Sequence, residues 1–302
     1  MFLKPVLKRA INPAALWTAA SLQFRRAPSR DRLDDAQLQL YAKVLPGDFL
    51  HYGYFDNPDR QPGDISLNEI VAAQNRYGEL LLELANADRS APVLDVGCGM
   101  GGLLRMLIAA GFLPVAVSPA RGQIAHVEKM FPGIPAFCSK FEDMDAETHR
   151  EKYATVFTSE SLQYLRLPRA LPLMKQILKP GGTWVACDYF NRAAGNPSRR
   201  LPAWPDFLKL LQDEGWRVVH QRDITPHVLP TLRYIHMWAA RFGKPLIAYG
   251  LLKLQRKQPG LHHLLGGMLP QLDKTIDENL DMICPDVFAR EKQYMLLAMQ
   301  RA

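Results

Sequence analysis

A glycine-rich segment, VLDVGCGMGG at residues 93–102, is the part of the sequence best suited to bind a cofactor. The short apolar run that leads into it predicts a buried strand, and the residues after it predict a helix. Gly97 and Gly99 permit a tight turn between the two, and their lack of side chains lets a ligand touch the backbone. The first strand-to-helix turn of an open α/β sheet is where such folds bind their cofactors.

The glycine spacing alone does not identify the ligand, because Gly97, Gly99 and Gly102 also match the GxGxxG fingerprint of dinucleotide sites. A dinucleotide site requires in addition an acidic residue about 20 residues further on, at the end of the second strand. Val117 and Ser118 occupy that place, so the carboxylate is missing. A turn that binds no ligand is a third interpretation, although this many glycines weaken a turn that has no other use for them.

Several motifs around the glycine loop resemble those of class I S-adenosylmethionine-dependent methyltransferases, and the resemblance runs from about residue 50 to 225. They are CSKFEDMD at 138–145, FTSESLQYL at 157–165 and LKPGGTWVACDYF at 178–190, in the order that this superfamily shows. The resemblance implies that Asp95 organises the loop and reaches the amino group of the cofactor. It implies adenine contacts for Phe141 and Glu142. It also assigns the following residues to the cofactor site: Gly97, Cys98, Gly99 and Ser159.

Within that superfamily the sequence most resembles the group of cyclopropane-fatty-acid synthases and sterol and tocopherol C-methyltransferases. LHYGYF at 50–55 is similar to their loop whose tyrosine, here Tyr52, approaches the methionine end of the cofactor. AVSPARGQ at 116–123 resembles the cyclopropane synthases, in which a hydroxyl and a glutamine replace the ribose-binding acid, and this implies ribose contacts for Ser118 and Gln123. SES at 159–161 is instead more similar to the sterol, tocopherol and sugar enzymes. The cyclopropane synthases usually have Glu-His where this chain has Gln163–Tyr164.

The catalytic candidates follow from the chemistry of methyl transfer, which is an in-line displacement at a sulfonium. The protein must hold the nucleophile about 3 Å from the methyl group and exclude water. A general base is needed only where the nucleophile must lose a proton. Glu160 is the first candidate for orienting or deprotonating the substrate; alternatively it only binds loop amides. His51 lies on a loop expected to close over the cofactor, and Tyr164 is a candidate hydrogen-bond partner of the substrate.

Charge and cysteine content narrow the function classes. Of the net charge of +7, six positive charges lie in residues 1–30, which contain no Asp or Glu, so the remaining chain is nearly neutral. A nucleic-acid enzyme usually has a basic face on its folded body, and we therefore expect no nucleic-acid partner.

The four cysteines are widely spaced, which argues against a zinc site or a disulfide framework and favours the cytoplasm. No His, Asp or Glu cluster has metal-ligand spacing, so no metal is predicted.

The basic arm at residues 1–30 permits three interpretations. It is a solvated leader helix, a segment that lies on an anionic membrane surface, or an organelle transit peptide. No stretch reaches the roughly 18 apolar residues that a membrane span requires. We therefore expect a cytoplasmic protein, and peripheral membrane contact through the arm stays one of the three open interpretations. The sequence does not determine the oligomeric state.

Alternating strand-like and helix-like segments predict an α/β fold, a Rossmann-like and mostly parallel seven-stranded sheet flanked by helices. A helix at about 67–86 carries apolar residues on one face, namely Leu67, Ile70, Val71, Leu80, Leu81 and Leu84. The predicted organisation has five parts: the arm, an N-terminal helical segment and cofactor-covering loop at 31–90, the cofactor-binding core at 91–225, a helical lid at 226–288 and a final strand within 289–302.

The lid suggests the substrate class. Its segment 233–257 combines aromatic and aliphatic residues with a basic edge, and residues 204–285 offer no polar cluster for a sugar or amino acid. This pattern favours an apolar chamber for a hydrophobic acceptor. The resulting hypothesis is methyl transfer to a small, hydrophobic or lipid-like acceptor. The alternatives are a cyclopropane synthase acting on acyl chains and a non-catalytic scaffold that binds S-adenosylmethionine.

Overall fold

A seven-stranded sheet organises the protein in the computed structural model, which describes residues 47–193, 202–266 and 269–302. The basic arm and the beginning of the predicted N-terminal helical segment lie outside the described residues. The strands are β1 (Pro92–Val96), β2 (Leu113–Ser118), β3 (Ala136–Cys138), β4 (Tyr153–Ser159), β5 (Leu178–Asn191), β6 (Trp216–Asp223) and β7 (Lys292–Arg301). Helix α1 (Leu67–Glu83) precedes the sheet. The helices between the strands are α2 (Gly102–Ala109), α3 (Arg121–Met130), α4 (Leu167–Ile177) and α5 (Trp204–Asp213), and then, between β6 and β7, α6 (Thr225–Trp238), α7 (Lys244–Lys257), α8 (Pro259–Leu265), α9 (Leu269–Met282) and α10 (Pro285–Glu291).

The strand order across the sheet is β3-β2-β1-β4-β5-β7-β6. Strands β1 to β5 pair in parallel, whereas β7 is antiparallel to both of its neighbours. This arrangement confirms the predicted Rossmann-like, mostly parallel seven-stranded sheet. Because the chain moves from β1 to β2 on one side and to β4 on the other, the strand order reverses beside β1. A crevice forms at the carboxyl ends of the strands at such a point.

Helices cover both faces of the sheet, so its strands are apolar and buried. On one face α4 and α5 pack on β4, β5 and β7 through Met174, Phe207 and the buried Trp184. On the other face α1, α2 and α6 form a second core that includes Tyr77 and Tyr294. The two cores hold the carboxyl ends of the central strands in fixed positions.

Helix α1 begins at a capping box, in which the Ser66 side chain accepts a hydrogen bond from the Glu69 amide and the Glu69 carboxylate accepts one from the Ser66 amide. Of the apolar residues that the sequence placed on one face of this helix, Ile70, Leu80 and Leu81 are buried. Leu67, at the first position of the helix, is 50% exposed. The buried face of α1 also includes Gln74 and Tyr77.

A helical insertion separates β6 from β7, at the position where the sequence predicts one. Helix α6 packs on α10 and β7, and its His227 carbonyl accepts a hydrogen bond from the Phe55 amide (2.9 Å). A π-helical turn at Ala239–Gly243 then leads into α7. Neither α7 nor α9 has a buried residue. No helix within the described parts of the chain is long and apolar enough to cross a membrane.

Candidate active site

One large cavity of about 1590 Å³ lies at the carboxyl ends of β1, β2 and β4. This volume exceeds the roughly 300–1,000 Å³ of most small-molecule sites, so it has room for a cofactor and a second molecule. All thirteen site residues predicted from the sequence line it: His51, Tyr52, Asp95, Gly97, Cys98, Gly99, Ser118, Gln123, Phe141, Glu142, Ser159, Glu160 and Tyr164. The structure therefore brings together residues that are up to 113 positions apart in the sequence, from His51 to Tyr164.

The glycine loop presents bare backbone to the cavity. Gly97 has a φ of +83° and Gly99 a φ of +53°, a left-handed conformation that side chains disfavour. A Cβ atom at Gly97 would lie 2.6 Å from the Cβ of Ser161, so no larger residue fits there without a shift. The Gly97 amide donates to the Val117 carbonyl (2.8 Å), which ties the loop to β2. These constraints explain why glycines occupy the turn.

Asp95, at the end of β1, places a buried carboxylate beside the glycine loop. Only 3% of its surface is exposed, and burial alone raises the pKa of the carboxyl to about 7. No hydrogen-bond donor among the described residues offsets the free-energy cost of burying the ionised Asp95 carboxylate. A buried carboxyl group without such a partner is suited to a ligand that supplies a cation or an N–H donor.

At the end of β2, Ser118 and Gln123 form a polar pair on the cavity wall. The Ser118 hydroxyl donates to Gln123 Oε1 (2.7 Å) and accepts from the Ala120 amide (3.2 Å). The two side chains thus meet across the first turn of α3. They supply hydroxyl and amide groups in the place where a dinucleotide site would need a carboxylate.

The third wall comes from the short turn at Phe141–Asp143 after β3. Phe141 is 2% exposed and lines the cavity with an aromatic edge. The Glu142 carboxylate accepts a hydrogen bond from the Arg166 amide, which fixes it at the rim. The side chain of Cys98 packs in a core cluster with Leu104. Burial raises the pKa of its thiol, so only its backbone is suited to meet a ligand.

A loop at residues 49–55 covers the cavity and is fixed by α1 and α6. Gln74 is buried in α1 and donates to the carbonyls of Phe49 (3.3 Å) and His51 (2.8 Å). Gly53 lies so close to α1 that an added Cβ would be 2.6 Å from the Cβ of Ala73. The Gly53 amide donates to the Thr231 hydroxyl of α6 (3.1 Å). The loop is therefore held in place by contacts with α1 and α6.

Glu160 lies between this loop and the sheet in a strained backbone conformation, with a φ of +48°. Its Oε1 accepts hydrogen bonds from the Tyr294 hydroxyl and from the Tyr52 amide (3.3 Å). Burial raises the pKa of the Glu160 carboxyl to about 7, and the two donors oppose that increase. A carboxyl group with a pKa near neutrality can accept and release a proton at physiological pH.

His51 adds a hydrogen-bond acceptor to the cavity wall. Its ring stacks on Tyr77 with 3.9 Å between centroids, and its Nδ1 lies 2.7 Å from the Tyr52 carbonyl oxygen. Since a carbonyl can only accept, Nδ1 carries the proton and Nε2 has a free lone pair. Nε2 is buried without a partner among the described residues, and burial lowers the pKa of His51 to about 4. Neutral His51 is thus a hydrogen-bond acceptor across the pH range in which most enzymes work.

Tyr164 lies at the mouth of the cavity, where it is 62% exposed. It ends a short turn at Leu162–Tyr164 that follows the strained Glu160. Next to it, Gln163 accepts a hydrogen bond from the Tyr189 hydroxyl (3.1 Å), and so this turn is tied to β5. Tyr164 is therefore placed to contact a molecule that enters, whereas Gln163 is engaged in holding the turn.

Four residues that contact the cover loop or the side chains of the cavity wall were missed in the sequence analysis: Gln74, Tyr77, Asp188 and Tyr294. Asp188 is fully buried near Glu160, and burial, followed by repulsion from Glu160, raises the pKa of its carboxyl to about 8. The hydroxyl groups of Tyr77 and Tyr294 are 3.3 Å apart, and Tyr77 also meets Ser159 (3.1 Å). Asp188 stands in the strand-end motif at 178–190, which was a usable signal. The other three are separated from the cavity motifs in sequence and offered none.

The helical insertion does not form the walls of this cavity. None of the described residues after 210 lines it, and the apolar residues of 233–257 lie largely on the surface. The apolar chamber expected in this segment is therefore not formed by its described residues. No group of three potential metal ligands occurs in the described ranges.

Comparisons with known proteins agree with this geometry. Residues 71–243, more than half of the chain, match a sequence family described as a methyltransferase domain. Tuberculostearic acid methyltransferase of Mycobacterium tuberculosis is 24% identical over 202 residues, which cover 58% of this chain and 45% of that protein. The chloroplastic tocopherol O-methyltransferase of Arabidopsis thaliana is 25% identical, with 74% of this chain and 70% of that protein covered.

The fold is also similar to a solved structure. Geranyl diphosphate C-methyltransferase from Streptomyces coelicolor A3(2), in complex with Mg²⁺, geranyl diphosphate and S-adenosyl-L-homocysteine, superposes with a TM-score of 0.64. The sequences are 16% identical, and the superposition covers 91% of this chain and 100% of that one. At this identity the likeness concerns the fold alone.

Proposed function

The chain belongs to the methyltransferase-domain family, and we propose that it moves a methyl group from S-adenosylmethionine to a small, apolar acceptor bound in the cavity. The observation that carries the proposal is the cavity itself. Bare glycine backbone and the buried Asp95 form one wall, and Glu160 and His51 form another. The cavity is large enough to hold both molecules.

The residues present fit the cofactor. Asp95 is a buried carboxyl group suited to an ammonium or amide partner, and the Gly97–Gly99 backbone leaves space for close approach. Ser118 and Gln123 offer hydroxyl and amide groups for a ribose, and Phe141 offers an apolar surface for a base. We assign the cofactor site to these residues together with Tyr52, Glu142, Ser159 and the backbone of Cys98.

When bound, S-adenosylmethionine supplies an electrophilic methyl group on a positively charged sulfur. The protein's part is to orient the acceptor and to exclude water. The cover loop serves the second task, because Gln74 and Thr231 hold it closed over the glycine loop. Tyr164 contacts the acceptor at the entrance.

Glu160 has the position and the acidity for proton transfer. With a pKa of about 7, half of the Glu160 population is ionised near neutral pH, and the carboxylate then removes a proton from a hydroxyl or amine acceptor. The Tyr294 hydroxyl holds the carboxylate in place. His51 Nε2 is a hydrogen-bond acceptor that orients the same group.

The apolar character of the acceptor is supported by the outer part of the cavity. Part of its wall is aliphatic or aromatic, with Leu165, Leu167, Pro168, Tyr189, Pro202 and Leu210, and the polar Gln163 and Arg166 lie among them. Two relatives are named for lipid-like molecules, a tuberculostearic acid and a tocopherol. Because the first of these is matched over less than half of its length, its substrate is a guide to chemical class only.

The test is transfer from S-adenosylmethionine that carries a trideuterated methyl group. The full chain is incubated with pools of unsaturated phospholipids and of isoprenoid phenols, and products are identified by mass spectrometry. A product that retains all three deuteriums supports methyl transfer. A product that has lost one of them would show that the methylated cation gave up a deuteron from the added carbon, as closure of a cyclopropane ring requires.

Two matched pairs of variants link the activity to the cavity. Asp95→Ala and Glu160→Gln should abolish or strongly reduce product formation, whereas the exposed controls Asp213→Ala and Glu128→Gln should not. Folded protein that binds the cofactor but yields no labelled product from any pool would contradict the enzymatic proposal and favour a scaffold.

A further inference from the structure

An exposed apolar stripe runs along the helical insertion, away from the cavity. We define the α7 face as Trp238, Phe242, Leu246, Tyr249 and Leu252, together with the cations Lys253 and Arg256. Its apolar members recur every three or four residues, so they lie on one side of the helix. Their exposed fractions range from 43% at Trp238 to 69% at Leu246. Trp238 and Phe242 stack on each other, with 4.5 Å between ring centroids.

The charged residues around the α7 face, in the first part of the helical insertion, are all positive. Residues 224–272 contain no Asp or Glu, but they contain six cations: Arg233, Arg241, Lys244, Lys253, Arg256 and Lys257. Lys253 lies on the α7 face itself, with its ammonium 5.8 Å from the Tyr249 ring. Exposed aromatic and aliphatic side chains interleaved with cations are typical of helices that lie in a membrane interface.

The nearest acidic groups stand on another side of the helix. Helix α9 carries Asp273, Asp277, Glu278 and Asp281. It meets α7 through an ion pair between Asp277 and Lys244 (2.5 Å). Each residue of an α-helix turns the chain by about 100°, so Lys244, two residues before Leu246, lies about 200° away from it around the helix axis. The acids therefore neutralise Lys244 and leave Lys253 and Arg256 on the opposite, exposed side.

We propose that the α7 face binds the surface of an anionic lipid bilayer. Charge complementarity favours this occupant over two others. A second copy of the chain would bring two basic faces together. Residues 1–46, which contain eight Lys or Arg against three Asp or Glu, would likewise place positive charge on positive charge. An anionic headgroup layer pairs with the cations while its acyl region takes up the exposed rings.

Helix α6 links the α7 face to the loop that covers the cavity. The helix that ends at Trp238 begins at Thr225, and it holds the cover loop through Thr231 and the His227 carbonyl. The membrane contact and the loop over the cavity thus share one rigid element. The proposal does not depend on the identity of the acceptor or on catalysis.

Vesicle flotation of the full chain tests the proposal. Vesicles of phosphatidylcholine alone are compared with vesicles in which part of the lipid is phosphatidylglycerol, at low ionic strength. We expect binding to the anionic vesicles only. Leu246→Ser/Leu252→Ser should reduce the partition coefficient at least tenfold, whereas the control Leu113→Ser/Met130→Ser, at similarly exposed apolar residues elsewhere, should leave it unchanged.

The charge contribution is measured in the same way. One cation near an anionic surface contributes about fivefold to binding, so Lys253→Gln/Arg256→Gln should lower partitioning roughly 25-fold. The control Lys129→Gln/Lys209→Gln removes two exposed cations outside the insertion and should have a much smaller effect. Brominated lipids should quench tryptophan fluorescence in the natural chain, and Trp238→Phe should remove most of that quenching.

Three results would overturn the proposal. The first is equal partitioning of the α7-face variants and their controls, which would place any membrane contact elsewhere, for example in the basic arm. The second is a dimer in light scattering that Leu246→Ser/Leu252→Ser converts to a monomer, which would make the face an interface between copies. The third is equal affinity for neutral and anionic vesicles.

Discussion

Replacing Glu160 by glutamine should stabilise the cofactor-free protein at alkaline pH while it impairs catalysis. Glutamine has the shape of the neutral carboxylic acid, and its amide oxygen can still accept from the Tyr294 hydroxyl and the Tyr52 amide. The substitution therefore removes only the ability of this side chain to ionise. Because burial is the main cause of the raised pKa of Glu160, the ionised form is the one that the folded protein tolerates poorly.

The magnitude follows from the difference between the two pKa values. The pKa of Glu160 is raised from 4.5 to about 7 on folding, which corresponds to about 3 kcal/mol. Since the folded state binds the proton more tightly, this stabilisation is fully present below pH 4.5. It is lost as the pH rises through about 7. Between about pH 5 and pH 8 the natural chain should therefore lose roughly 3 kcal/mol that the Glu160→Gln variant keeps.

Urea unfolding at a series of pH values measures the effect, with Glu128→Gln as an exposed control. Asp95 and Asp188 also have raised pKa values, so both proteins should lose stability with increasing pH, but the variant should lose less. The free energy of unfolding of Glu160→Gln should exceed that of the natural chain at about pH 8 and approach it near pH 4.5. Parallel pH profiles for the two proteins would refute the reasoning that Glu160 carries a buried, costly charge.

Two further predictions concern the loop and the proton acceptor. Gly97→Ala should lower the free energy of unfolding by about 2–5 kcal/mol, because a left-handed alanine costs about 1–2 kcal/mol and the close contact adds about 1–3. Gly99→Ala, with its nearest neighbour at 3.6 Å, should cost only about 1–2 kcal/mol, and equal losses in urea unfolding would contradict this. Tyr294→Phe removes a donor that lowers the pKa of Glu160, so the acidic limb of the pH–rate profile should move to higher pH. An unchanged profile would show that Glu160 is not the titrating group.

The local parts of the site were predictable from the sequence. Gly97, Gly99 and Asp95 lie within five residues of one another, and their roles depend on a strand–turn–helix that the hydrophobic pattern already indicates. Ser118 and Gln123 are close in the same way, since one ends β2 and the other lies in the first turn of α3. The alternation of strands and helices predicted the sheet for the same reason, since periodicity is a local property.

What could not be predicted depends on contacts between distant segments. Tyr294 meets Glu160 across 134 residues, and no pattern near either residue signals that bond. For the apolar residues of α7 the sequence predicted a contact that the structure does not show. Their composition was interpreted as the wall of a substrate chamber. A composition does not tell what an apolar helix face contacts, and in the structure this face is exposed.

Isothermal titration of the full chain with S-adenosylmethionine, and separately with a nicotinamide dinucleotide, tests the central claim most directly. We expect micromolar binding of S-adenosylmethionine and no binding of the dinucleotide. Asp95→Ala should abolish the binding and the exposed control Asp213→Ala should preserve it. Folded protein that ignores S-adenosylmethionine, or that binds it equally well without the Asp95 carboxylate, would contradict the assignment of this cavity as the cofactor site.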